Sequence, residues 1–249
     1  MTISHTGMTR SAVFSDHAVI TPESHVPVHL PQWQGVETVV LISSEMGAKF
    51  SQSLATCGAG AQMSALREDE QYFMLVLEGT VAFGVGGEEW QVGSNGFAYL
   101  APGCNWQASA AEGSRLLIFA KPYIALDGVS APDSFNGSLD DIAAEPFLGD
   151  EGALLQVLFP EDLAFDWGIN VFEFAPGGTL PQVESHFMEH GLYLLDGQGI
   201  YRLGERWYPV MQGDAIWMGP YLLQWYAATG KTPSRYIYYK EMQRSPGQA

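Results

Sequence analysis

The chain has 249 residues, 47% hydrophobic and 16% charged, which suits two packed domains of about 120 residues and excludes a disordered chain. Its 11 Lys and Arg face 28 Asp and Glu, a formal charge of −17; nucleic-acid affinity rests on cationic contacts to phosphate, so no nucleic-acid partner is expected. Two cysteines, Cys57 and Cys104, cannot staple a scaffold and read as reduced, buried thiols, and no apolar run reaches the ~18 residues of a membrane span.

The first 25 residues carry Arg10, Asp16 and His17 with no apolar stretch, so no secretory signal is expected and the expected location is the cytoplasm. Residues 1–35 hold Pro22, Pro27 and Pro31 and predict an extended N-terminal arm packed across a neighbour. From residue 36 to 125, short apolar runs are punctuated by glycine: FMLVLEG at 73–79, TVAFGVGG at 80–87, GFAYLAPG at 96–103 and RLLIFAKPY at 115–123. Residues 126–152 are rich in Asp, Gly, Ser and Pro and predict a linker. From residue 153 to 249 glycine-punctuated apolar runs return in GLYLLDG, GIYRLG, GDAIWMGP and SRYIYYK. Runs of four to eight residues rich in Val, Ile, Phe, Tyr and Trp, bounded by Gly or Pro, are strands. The expected fold class is all-β.

The two halves also match in register. Trp90, Gly96 and Gln107 recur as Trp207, Gly213 and Gln224, each 117 positions later; Gly60 and Gly79 recur as Gly178 and Gly197 after 118, and Ser114-Arg115 as Ser234-Arg235 after 120. A period this long signals a domain duplication, since solenoid repeats run about 20–50 residues. Each repeat fits a small antiparallel barrel or jelly roll, whose lumen can hold one small ligand or one ion.

The second repeat carries the chemistry. Gly178 is followed by five residues, then Glu184, Ser185 and His186, three residues, His190, six residues and Gly197; Gly213 is followed by ten residues and then Gln224. On a strand, Glu184 and His186 share one face about 6.6 Å apart, whereas His186 and His190 would lie about 13 Å apart. A shared ion therefore needs a bend, which the nearby Gly191 makes cheap. Two imidazoles, a carboxylate and an amide oxygen form a mixed N/O set suited to Mn²⁺, Fe²⁺ or Zn²⁺. The arm repeats the spacing in Glu23, His25 and His29, but His17 and Val36 stand where the framing glycines belong, so surface or interface contacts are expected there. Mapped by the same glycine spacings, the first repeat places Leu66, Glu68, Tyr72 and Gln107 in the donor slots, without an imidazole. That barrel is expected to be metal-free.

These spacings resemble the two cupin motifs, G-x5-H-x-H-x3,4-E-x6-G and G-x5-P-x-G-x2-H-x3-N, with the residue types reordered to Glu184, His186, His190 and Gln224. That reordering, with ESHFMEHGLYLLDGQGIYRLGERWYPV and QWYAATGKTPSRYIYYK, resembles the ureidoglycine aminohydrolases, bicupin manganese enzymes of purine (allantoin) breakdown. The resemblance implies an arm (1–35), a metal-free cupin barrel (36–125), a linker (126–152) and a metal-bearing cupin barrel (153–249). It also implies release of ammonia from (S)-ureidoglycine to leave (S)-ureidoglycolate, Mn²⁺ as the cofactor, and a homo-oligomer. Lys240, Tyr236 and Tyr201 match positions that surround the metal in that family. Tyr236, Tyr238 and Lys240 alternate along one strand face, which aims Lys240 at a substrate carboxylate or at a proton transfer, with Glu184 doubling as proton acceptor. Two other readings stand beside this one. One is a bicupin Fe²⁺ dioxygenase or isomerase acting on a small carboxylate; the other is a non-enzymatic small-molecule binder with a closed structural metal.

Overall fold

The computed structural model describes residues 9–244; the first eight residues of the arm and the last five of the second barrel lie outside the described residues. The chain divides into two compact units. One takes the described residues through His25, Met46–Ala48 and the chain from Ile142 on; the other takes Val26–Glu45 and Lys49–Asp141. Among the described residues the regular structure is strand, interrupted only by three-residue 3-10 turns. No helix there is long and apolar enough to cross a membrane.

In the unit Val26–Glu45 and Lys49–Asp141, one sheet runs through Phe135–Ser138, Gly96–Leu100, Glu70–Glu78, Arg115–Pro122, Ser51–Ser64, Trp106–Ala110, Thr80–Val85 and Glu88–Gly93, with Gln34–Ile42 also paired to Ser51–Ser64. Along its other edge the 14-residue strand Ser51–Ser64 serves two neighbours in turn, Arg115–Pro122 along its first half and Trp106–Ala110 along its last four residues. It turns the corner between them at Gly60, whose φ of 71° a side chain would resist. The lumen is filled by Tyr72, Met74, Phe83, Trp106, Leu116 and Ile118.

The other unit pairs Ala12–Val13, His17–Ile20, Ala215–Met218, His190–Asp196, Ser234–Glu241, Trp167–Phe174, Asp150–Val157 and Glu145–Phe147 in one sheet. A second sheet holds Arg206–Met211, Gln198–Leu203 and Gln224–Ala228. Both strands of the hairpin Gln198–Leu203/Arg206–Met211 alternate exposed and covered positions, the period-two pattern of a sheet with one wet face. Their inward residues pack with Phe172, Phe174, Leu192, Leu194 and Tyr236.

The recurrence of Gly79 and Gly197 with Ser114 and Ser234 has a steric cause. Both glycines have positive φ, 85° and 76°, and a Cβ on either would collide with the paired serine. Each repeat thus preserves one close crossing between a hairpin turn and the start of its last strand.

One segment expected from composition to be a linker holds strands. Residues 126–152 contain the strands Phe135–Ser138 and Glu145–Phe147, each at a sheet edge. Edge strands bury little and need few apolar side chains, so their composition reads as loop. Part of the arm, His17–Ile20, pairs with Ala215–Met218 of its own chain. Arg10 fastens it by a two-pronged bond to the fully buried Asp214 (2.7 and 2.9 Å), which also accepts the Met211 amide at 2.9 Å. Cys57 is buried and Cys104 only half-buried, both as free thiols.

Candidate active site

The facing sheets of the second barrel enclose a cavity of about 170 Å³. Seven of its lining residues are Glu184, His186, His190, Tyr201, Gln224, Tyr236 and Lys240, all singled out by the sequence. His190 opens the strand His190–Asp196, flanked across the ladder by Met218 and Lys240. Tyr236, Tyr238 and Lys240 occupy alternate positions of Ser234–Glu241, and all three line the cavity. Gln224 begins its strand and exchanges two backbone hydrogen bonds of 2.9 Å with Glu184, an isolated bridge that holds the loop against the sheet.

The bend required by the His-x3-His spacing lies elsewhere than expected. Residues 185–189 are irregular and His186 sits in that loop, its carbonyl accepting the Tyr221 amide at 2.7 Å; Gly191 is an ordinary strand residue. Glu184 and His186 therefore share a loop flank rather than a strand face. The loop folds back far enough to bring the two imidazole centroids to 4.8 Å.

The tautomers follow from the partners. His190 Nδ1–H donates to the Tyr239 carbonyl at 3.1 Å, and His186 Nδ1–H donates to the Met188 carbonyl at 3.2 Å. Each ring is left with a lone pair on Nε2, that of His186 accepting from the Gln224 amide nitrogen, and the two Nε2 atoms face one another at 3.2 Å. Burial keeps both rings neutral, pushing His186 below its ordinary pKa and His190 down to about 3, where the neighbouring His186 adds to the effect. Two neutral lone pairs at that distance repel unless a cation draws them together. The Gln224 amide reaches the same point, 3.1 Å from His186 Nε2, with its oxygen 3.3 Å from the Tyr201 hydroxyl. Turning that amide over presents its oxygen to the same focus and its nitrogen to Tyr201. This donor set fits a divalent ion. Among the described residues no three His, Cys, Asp or Glu side chains gather closely enough to cage an ion, so Glu184 does not complete such a group with the two imidazoles.

Glu184 and Lys240 act on one another across the cavity. Burial raises the Glu184 carboxyl above its usual range while the Lys240 charge opposes the rise; burial lowers Lys240 while Glu184 opposes the fall. Burial first, with the Glu184 charge as a smaller cause, also holds Tyr201, Tyr236 and Tyr238 above the ordinary phenol value. All three remain protonated donors at neutral pH.

Phe147, Leu155, Phe172, Leu180, Met188, Leu192, Met218 and Tyr238 complete the lining. Tyr238 is signalled by its alternation with Lys240; Met218 and Phe147 depend on strand pairings that no local spacing announces. The other sites read from sequence do not converge. Glu23 is engaged by Arg10, and His29 Nδ1–H bonds the Val36 carbonyl at 3.0 Å. In the first barrel Glu68 and Gln107 are exposed, while the buried Tyr72 hydroxyl accepts the Leu66 amide and donates to Glu70. Trp106 bonds across from Val85 as Gln224 does from Leu203, both 118 positions apart. The position equivalent to Gln224 is thus Trp106, not Gln107. A one-residue slip in alignment turns a strand side chain to the opposite face.

An antiparallel β-barrel in each repeat, with imidazoles and an amide aimed into one lumen, defines a cupin, here duplicated as an all-β bicupin. A Cupin domain family profile matches residues 170–239. The chain belongs to the (S)-ureidoglycine aminohydrolase family of hydrolytic enzymes. It is 38% identical to the (S)-ureidoglycine aminohydrolase of Arabidopsis thaliana over 96% of this chain and 80% of that protein. It is 30% identical to the Escherichia coli K12 enzyme of the same name over 91% and 88%. Among solved structures it resembles the protein Ylba from E. coli (TM-score 0.85, 27% identity, 96% of each chain). Oxalate decarboxylase shares the fold at 10% identity, with a TM-score of 0.72 over 92% of this chain and 78% of that one.

Proposed function

We propose that this chain hydrolyses (S)-ureidoglycine to (S)-ureidoglycolate and ammonia, in the cytoplasm, as a step of purine catabolism. The observation that carries the reading is one small cavity holding a paired imidazole–amide donor set beside a half-buried carboxylate and a half-buried ammonium. The family membership selects the reaction among those such a cavity could serve.

His186, His190 and Gln224, with Glu184, would hold the divalent ion, for which the mixed N/O set suits Mn²⁺, with Fe²⁺ or Zn²⁺ as substitutes. When bound it supplies Lewis acidity and a fixed orientation for the substrate. Lys240, on the wall beside His190, pairs with the substrate carboxylate; its lowered pKa also makes it a readier proton donor to the leaving amine. Glu184, made more basic by burial, accepts a proton from the attacking water. Tyr201 and Tyr236 donate phenolic hydrogen bonds that fix the substrate against the chiral wall. The apolar lining excludes bulk water and strengthens these charges. The active form is a homo-oligomer.

The test is ammonia release from freshly generated (S)-ureidoglycine, with and without chelator. Release above the spontaneous rate that chelation removes and Mn²⁺ restores is expected. Release no faster than the spontaneous rate in metal-loaded protein would overturn the assignment.

A further inference from the structure

Tyr238 lines the cavity between Tyr236 and Lys240, and the proposed reaction leaves it without a task. Its ring is clamped: it stacks on Phe172 (centroids 5.7 Å, interplanar 11°) and meets His190 edge-on (5.5 Å, 85°). Directly across the ladder lies Asn170, 1% exposed, whose Nδ2 donates to the Tyr238 hydroxyl oxygen at 3.1 Å. A buried asparagine opposite a tyrosine on a strand wall is an uncommon choice, since burial of an amide is costly unless it is bonded. Here it engages a lone pair of the phenol. The hydroxyl proton is then left for a partner other than Asn170, and the cavity that Tyr238 lines is where it can be donated.

We propose that Tyr238 donates a hydrogen bond to the ureido carbonyl of the substrate, and that Asn170 is the positioning residue that fixes the direction of that bond. The proposal rests on the aminohydrolase reading and deepens it. Lys240 and Tyr238 are successive residues on one strand face, about 6.6 Å apart. In ureidoglycine the carboxylate and the ureido carbonyl flank the reacting carbon, and their oxygens can spread across most of that distance. With the carboxylate on Lys240, the ureido oxygen falls toward the next rung. A donor there favours a carbonyl over a protonated amine at the same place, which would keep the substrate from binding with its two nitrogen arms exchanged.

The experiment compares wild type with Tyr238→Phe and Asn170→Asp. Phenylalanine keeps the clamped ring and removes only the hydroxyl. Aspartate can only accept, so it takes the phenol proton for itself. Each variant is assayed for ammonia release and for inhibition by two probes: N-carbamoylglycine, which carries carboxylate and ureido groups but no scissile amine, and glycolate, which carries the carboxylate alone. Tyr238→Phe is expected to lower kcat/KM about 5- to 100-fold, the range for leaving a buried polar acceptor unpaired. It should weaken N-carbamoylglycine by a similar factor and leave glycolate unchanged. Asn170→Asp should reproduce that pattern, and the double variant should be no worse than Tyr238→Phe, because both act through one bond. Unchanged N-carbamoylglycine inhibition in Tyr238→Phe, or equal weakening of both probes, would overturn the proposal. Additive losses in the double variant would remove Asn170 from it. If Asn170→Asp does not fold, Tyr238→Phe alone decides the donor role. A wild-type protein that releases no ammonia refutes the function itself, whereas an active wild type with an unaltered Tyr238→Phe refutes only this assignment.

Discussion

Replacing Lys240 by Met separates charge from shape inside the cavity. Methionine keeps an unbranched stem beside His190 and Gly168, the two cross-strand partners, and removes only the ammonium. The lost group is half-buried, so solvent screens its interactions only in part, and its absence leaves an anionic substrate without a counter-charge. Removing one member of a desolvated charged pair costs about 2–5 kcal/mol; near 3–4 kcal/mol this is ~10²–10³ in kcat/KM, at 1.36 kcal/mol per decade. Glu184 loses the charge that opposes its upward shift, so its carboxyl moves further above the usual range. Metal content should not change, because Lys240 donates no lone pair to the imidazole–amide focus. The assay couples ammonia release to NADH oxidation and pairs it with elemental analysis of the same sample. Undiminished turnover, or loss of metal along with activity, would refute this division of roles.

Glu184→Ala or His186→Ala should lose bound metal on elemental analysis, whereas replacing His25 and His29 together should leave the metal content of wild type. Lys240→Arg should retain weak turnover without the alkaline limb of the kcat/KM profile. The wild-type ammonium titrates below the ordinary lysine value of about 10.4, losing its charge as pH rises, while a guanidinium stays charged; a variant whose alkaline limb matches wild type would contradict this. Arg10→Ala should uncouple the arm by leaving the buried Asp214 carboxylate without its two-pronged partner. Discounted for the partial exposure of Arg10, the loss is about 1–3 kcal/mol, a fall of roughly 3–10 °C in Tm for a chain of this size, readable by calorimetry.

The strands are legible because glycine-bounded aromatic runs mark them, and the duplication because Gly79 and Gly197 must each clear a serine. The cavity residues are legible where a spacing is local, as for Glu184, His186 and His190. What escapes depends on pairing register. Asn170 meets Tyr238 from 68 residues away, across a ladder that no local pattern specifies. Gln107 matches Gln224 by letter identity although Trp106 shares its inward phase, since a strand reverses its face with every residue. The edge strands Phe135–Ser138 and Glu145–Phe147 hide in a stretch whose polarity reflects how little they bury.

Trp106, set edge-on to Tyr72 with ring centroids 5.3 Å apart, plugs the first barrel. Placing imidazoles at positions 68 and 72 would not by itself create an ion seat, because an indole occupies the bore where an amide would have to reach. Its removal leaves a void costing about 3–5 kcal/mol before any ion arrives to offset it. The same strand position thus fills space in one repeat and faces a cavity in the other.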